Sequence, residues 1–204
     1  MASTSNAILG EQSREYIFNP SLNMIAKLQD HQQRYRENLD RPPYWAMPST
    51  AHFPADESYQ GKLFPFALHF QTVETSVHMV LYWAILLQVH CNIMTLHRYF
   101  SNLAPSTKSQ YPTQPLLPSS EGATLASISE EAEKLARYLC QSIEYCYKSA
   151  NGTVGPQLTC YAQWILKQYF RQQGCERELA WCVNIKGIRG AGFHSGLELM
   201  CFGE

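Results

Sequence analysis

The chain has 204 residues, 45% hydrophobic and 12% aromatic with 16% charged, which predicts one packed domain with at most a small extension and disfavours two independent ones. Sixteen Lys and Arg against seventeen Asp and Glu leave a net charge of -1, so no basic field exists to neutralise a phosphate backbone, and direct DNA or RNA binding by this chain is disfavoured. The low charge content also points to apolar surface that meets a partner.

The first ten residues lack a basic start and a long apolar core, so they do not read as a signal peptide. Asn19-Pro20 offers an N-cap followed by proline at the first helical position. Leu22, Ile25, Leu28, Tyr35 and Leu39 then mark an amphipathic helix, making 1–40 a polar segment with one helix. Pro42, Pro43, Pro48 and Pro54 occupy a stretch without helical period, so 41–62 is expected to be an extended connection.

Residues 63–192 form the expected helical domain, with Phe64 to Phe70 a short extended piece at its start. From Thr72 to Phe100 apolar residues occur nearly all round, as in the central helix of a bundle. Within it Val77 to Met94 resembles a membrane span. His78, Gln88, His90 and Asn92 interrupt it, and the unbroken apolar run from Met79 to Leu87 falls well short of the ~20 residues a bilayer needs. Residues 101–126 carry Pro105, Pro112, Pro115 and Pro118 among Ser, Thr and Gln, the composition of a variable loop.

Ser127-Ile-Ser-Glu130 is a capping box, and Ile128, Ala132, Leu135, Leu139, Ile143 and Cys146 follow at helical spacing, predicting a helix over 127–149. Asn151-Gly breaks it. Pro156 opens a second helix with Leu158, Tyr161, Ala162, Ile165 and Tyr169 on one face, and Gly174 closes it. A third helix begins at Glu176 and Glu178 and carries Lys186 and Arg189 near its end, the polarity favoured by the helix dipole, before Gly187, Gly190 and Gly192 terminate it. Residues 193–204 are expected to be a tail. The fold class read from these elements is all-α, an irregular antiparallel helical bundle with long Pro-rich loops.

The seven cysteines, at positions 91, 140, 146, 160, 175, 182 and 201, are odd in number and show no C-x-x-C spacing. That pattern suits reduced, buried thiols in an intracellular compartment. Cys140 and Cys146, six apart in one helix, point about 120° from each other and make poor co-ligands. Glu130, Glu131 and Glu133 read as a solvated first turn, and the sequon at Asn151 matters only in a secreted chain. The glycine-rich stretch from Gly187 to Gly196 matches neither phosphate-binding pattern, and it follows a helix where those patterns need a strand before one.

One order of motifs carries a resemblance. A long helix with Tyr82-Trp83, a variable Pro/Ser-rich loop, Ile143-Glu-Tyr-Cys146, Tyr169-Phe170 and Leu179-Ala-Trp-Cys182 with a glycine soon after is similar to the C-terminal part of the fungal-specific regulatory domain. That domain follows the zinc binuclear cluster in fungal transcription factors. The match covers 63–192 loosely and 132–188 with more specificity, through packing motifs. The resemblance implies an all-α regulatory module of a nuclear regulator, concerned with restraint of activation, effector sensing and protein contacts. Its partner would be a transcription factor, a coregulator or a second copy. The family's six closely spaced zinc-binding cysteines have no counterpart here, since no cysteine precedes Cys91.

The site reading that follows is an effector pocket or interface made by Tyr82, Trp83, Tyr145, Trp164, Tyr169 and Trp181, set against the alternative that the same aromatics are core packing. No catalytic residue, metal or cofactor is expected under it. Two other readings stay open. One is a small helical metal-dependent enzyme using His78, His90 and His97, although no His-x-x-x-His or Glu-x-x-His spacing accompanies them. The other is a truncated fragment without independent activity.

Overall fold

The computed structural model describes residues 2–57, 61–103, 119–188, 190 and 192. It is mostly helical, with one small sheet. In chain order it has α1 (Ala2–Glu37), β1 (Tyr44–Pro48), α2 (Pro54–Glu57), β2 (Phe66–Phe70), α3 (Val73–Leu103), α4 (Ser119–Cys146), α5 (Val154–Gln173) and α6 (Glu176–Val183). Single turns of tighter helix at Ser149–Asn151 and Ile185–Gly187 flank α5 and α6.

The core lies where α3, α4 and α5 meet, with α6 against α5 and α1 against α3. Met79, Trp83, Leu86, Leu87 and Ile93 of α3 are almost fully buried, as are Leu135, Leu139 and Ile143 of α4 and Ile165 and Leu166 of α5. The α3 helix is apolar all round because it is covered on several sides. Its most apolar 18-residue window has mean hydropathy 1.5, and 61% of that window is buried inside the protein, the environment of a core helix.

Several boundaries differ from those the sequence predicts. α1 is already running at Ala2 and passes through Pro20, so Asn19-Pro20 is not its start. Proline's fixed φ is itself helical, and the helix continues with the loss of one backbone donor. α4 begins at Ser119, placing the Ser127–Glu130 capping box inside the helix and its first turn within the expected 101–126 loop. Leu125 and Ile128 both pack against the core, and that burial outweighs a local cap signal. The middle of the loop, 104–118, lies outside the described residues, as do Arg189 and the 193–204 tail. α6 stops at Val183, well before Lys186. There the Asn184 side chain donates to the Ala180 carbonyl at 2.8 Å, an alternative to continuing the helix. The tight turn that follows buries Ile185 and Ile188.

Gly174 does close α5, in the left-handed conformation with φ 69°. Its N–H reaches the Arg171 carbonyl while the N–H of Cys175 reaches that of Phe170, the paired pattern of a Schellman motif.

The connection at 41–62 is not simply extended, and the fold is not purely α. Tyr44–Pro48 pairs antiparallel with Phe66–Phe70, in the register Tyr44 to Phe70 through Pro48 to Phe66. The extended piece expected at Phe64 to Phe70 contains β2; its partner strand is masked in the sequence by Pro42 and Pro43 before it and Pro48 at its end. Leu68 and Phe70 face the core, whereas β1 is an outer strand whose Trp45 and Met47 are exposed. Lys62 stiffens the link between the strands by donating to the carbonyls of Ser49 at 2.6 Å and Ala51 at 2.9 Å.

Candidate functional site: an aromatic cleft between α1, α3 and α4

The docking of α1 on α3 leaves a cleft of about 450 Å³ bordered by α4, within the size range of small-molecule sites. Its floor is aromatic and its rims are polar. Trp83 of α3 is almost completely buried, and Tyr44 of β1 meets it edge-on with ring centroids 5.1 Å apart. Tyr138 of α4 completes the group, 5.1 Å from Trp83 and 6.0 Å from Tyr44. Tyr82, half-buried, stands beside Trp83 in the wall.

Local sequence accounts for each wall. Glu131, Lys134 and Tyr138 are spaced three and four apart, so they share one face of α4. Gln29, Gln32, Gln33 and Arg36 repeat at the same spacing along α1. Tyr44 is brought in by the β1–β2 register, which sets it opposite Phe70.

The rim charges are fixed by these neighbours. Lys134 bonds Glu131 at 3.3 Å, and its ammonium lies 6.0 Å from the centre of the Tyr138 ring. Glu131 holds the Lys134 ammonium above the ordinary lysine range, so it is charged at neutral pH. Arg36 directs Nη2 toward the Tyr44 hydroxyl at 3.4 Å. Burial and the adjacent Tyr138 push the Tyr44 hydroxyl upward against the opposing pull of Arg36, which keeps it a proton donor. Burial raises Tyr82 in the same way. A shallower groove of about 540 Å³ shares Arg36 and Tyr44 and continues past Asp40 and Arg41.

At the back of the cleft the buried Gln32 joins the helices: its amide nitrogen donates to Met79 Sδ at 3.2 Å, and its oxygen meets His78 Nε2 at 3.0 Å. His78 stacks on Tyr35 with centroids 3.7 Å apart, and burial followed by the neighbouring His31 lowers its pKa.

Of the six aromatics singled out by sequence, Tyr82 and Trp83 line this cleft. The other four lie elsewhere. Tyr145 packs on Phe70 and His69. Tyr169 is buried against Phe170, and burial pushes its hydroxyl up to about 12. Trp181 sits in a separate cluster with Phe53 and Phe64. Trp164 is 49% exposed and stacks on Tyr161 at the surface of α5. Tyr138, Lys134 and Arg36 were missed, although the 131/134/138 spacing was legible; nothing in the sequence places Tyr44.

The three histidines of the metal reading are not brought together. Twelve and seven residues separate them along one helix, about 18 and 10 Å at 1.5 Å per residue. His90 is buried and donates Nδ1–H to the Leu86 carbonyl at 2.7 Å, while His97 faces Ser101 at 3.4 Å. Among the described residues no group of three or more His, Cys, Asp or Glu side chains is placed to hold a metal ion.

No protein family, no curated protein and no solved structure matches this chain.

Proposed function

We propose that the protein is a non-enzymatic regulatory domain of the kind its residues resemble, the C-terminal part of a fungal zinc-cluster transcription factor, acting by effector sensing and protein contacts. The observation that carries this reading is the cleft. Its walls offer tyrosine hydroxyls, glutamine amides and paired charges around an aromatic floor, groups that orient a ligand, and α1 supplies one of those walls. The pairwise packing of α3, α4 and α5 supports the irregular antiparallel bundle read from the helical elements, and the mainly helical fold agrees with the all-α module the resemblance implies.

The nuclear and transcriptional setting rests on the resemblance of Ile143-Glu-Tyr-Cys146, Tyr169-Phe170 and Leu179-Ala-Trp-Cys182. The exposed Tyr161–Trp164 stack supports the protein-contact half of the reading, because aromatic side chains are enriched at interfaces. The partner is a transcription factor or coregulator.

The test is to fuse the full chain to a heterologous DNA-binding domain in a fungal reporter strain and to capture partners from nuclear extract. Altered reporter output together with recovery of a transcription regulator supports the proposal. No change in output and no regulator recovered overturns it. Stoichiometric zinc, iron or manganese in the purified protein would instead favour the metal-enzyme alternative, and absence of a cooperative thermal transition would favour the incomplete-fragment alternative.

A further inference from the structure

We infer that the cleft between α1, α3 and α4 binds a singly charged aromatic carboxylic acid, its ring against Tyr44, Tyr82 and Tyr138 and its carboxylate held by Arg36 and the Tyr44 hydroxyl. This rests on the effector-sensing reading and assigns that effector a chemical class.

The charge inventory selects an anion. The cleft is lined by two cations, Arg36 and Lys134, and one carboxylate, Glu131. Glu131 is already engaged by Lys134 at 3.3 Å. Arg36 is exposed and forms no ion pair with Glu131 or with Asp40 of the adjoining groove, so the positive charge left over in the cleft sits on its guanidinium. One uncompensated charge matches a monoanion, and the planar fork of arginine matches a carboxylate in two-point geometry.

The tyrosines add the second half of the recognition. Arg36 Nη2 donates to the Tyr44 hydroxyl oxygen at 3.4 Å, which keeps the remaining guanidinium donors beside the phenol. The rings of Tyr44 and Tyr138 are only half-buried and lie 6.0 Å apart over Trp83, leaving apolar surface beside that point. A flat ring carrying an acid fits such a wall, since aromatic groups pack in offset or edge contacts over 4.5–7 Å.

The opposite choice, a cationic ligand in an aromatic cage, is disfavoured by the protein's own cations. Lys134 already stands over the Tyr138 ring at 6.0 Å, and Arg36 already abuts Tyr44. A ligand ammonium would enter next to two like charges, which disfavour it.

Calorimetric titration of the full chain with 2-naphthoate, 2-naphthamide, 2-naphthylmethylamine and 2-naphthyl phosphate tests the assignment. Naphthoate should bind at least tenfold tighter than the amide and the phosphate, with the amine weakest. Arg36→Gln, at an exposed position that leaves the core untouched, should weaken naphthoate about tenfold and leave the amide unchanged. Tyr138→Phe should preserve most of the affinity, because it keeps the ring. Equal affinity for acid and amide, preference for the amine or phosphate, or indifference to Arg36→Gln overturns the assignment of ligand class while leaving an effector cleft. If none of the four probes binds, the assignment also falls, and the regulatory role is then judged by the reporter and capture experiment alone.

Discussion

Glu144 of α4 accepts two hydrogen bonds from Thr50, one from its backbone N–H at 2.9 Å and one from its hydroxyl at 2.8 Å, across 94 positions of sequence. Both bonds go to Oε1, and Oε2 is buried without a bond of its own. This carboxylate ties the segment after β1 to the core helix. It thereby holds in place the strand that delivers Tyr44 to the cleft.

Burial raises the Glu144 carboxyl, but the donors of nearby Ser49, Thr50 and Ala51 outweigh it and set the group below the usual glutamate range. A depressed folded-state value means that the ionised group contributes stability above the unfolded value of ~4.3, and that this contribution is lost as pH falls below it. Glu144→Gln should therefore cost about 1–3 kcal/mol at pH 7, the range for weakening a buried charged bond. The deficit should begin to shrink as pH falls below the unfolded value of ~4.3 and should vanish only once pH has passed the lower folded-state value, where the parent carboxyl too is neutral. Thermal unfolding of both proteins across pH 3.5–7, followed by circular dichroism, checks it; a pH-independent gap would refute the role of the charge.

Gly155, in the first turn of α5, lies against the end of α4. A Cβ added there would sit 2.0 Å from the Cys146 carbonyl oxygen, a backbone atom that cannot rotate away. Gly155→Ala should destabilise the protein by about 1–3 kcal/mol through overpacking, although alanine is the better helix former. Urea unfolding measures it. Gly152→Ala meets no atom within 4 Å, and its cost comes from the positive φ of 56° alone. Stability unchanged by Gly155→Ala would show that the helices can separate freely at this point.

The described cysteines divide by burial. Burial pushes the Cys146 thiol up to about 12 and Cys91 to about 11, and burial with the neighbouring Cys182 raises Cys140. Since the thiolate is the reactive form, these should resist alkylation in the folded state. Cys160 and Cys175 are partly exposed. In iodoacetamide labelling at pH 8, they should react first by peptide mass spectrometry, with Cys91, Cys140, Cys146 and Cys182 modified only at the rate of unfolding. Fast labelling of Cys146 would contradict the packing at the α4–α5 junction.

Periodicity located the strongest elements because their packing is repeated along the chain. The apolar run from Thr72 to Phe100 and the spacing of Ala132, Leu135, Leu139 and Ile143 identify α3 and α4, and the Gly174 stop marks a real left-handed cap. The start of α4 was misplaced because Leu125 finds core contacts upstream of the cap signal. β1 escapes the sequence reading because a strand of five residues, two of them aromatic, with Pro43 before it and Pro48 at its end, shows no alternation until its partner is known. The cleft was legible only in part. Tyr82-Trp83 stood out as an aromatic pair, and Glu131, Lys134 and Tyr138 share a helical face, but their meeting with Arg36 and Tyr44 is not written in any one segment.

By itself, then, the sequence determined the mainly helical character, the central apolar helix and the near-zero net charge, because composition and helical spacing act locally along the chain. The tertiary structure alone decided which of those aromatics share a site. Trp164 and Trp181 look alike in sequence, yet one lies exposed on α5 and the other in a separate core cluster. Tyr44 and Tyr138, 94 positions apart, come within 6.0 Å of each other. That encounter depends on the pairing of β1 with β2 and on the packing of β2 against α4, long-range contacts whose partners no local pattern specifies.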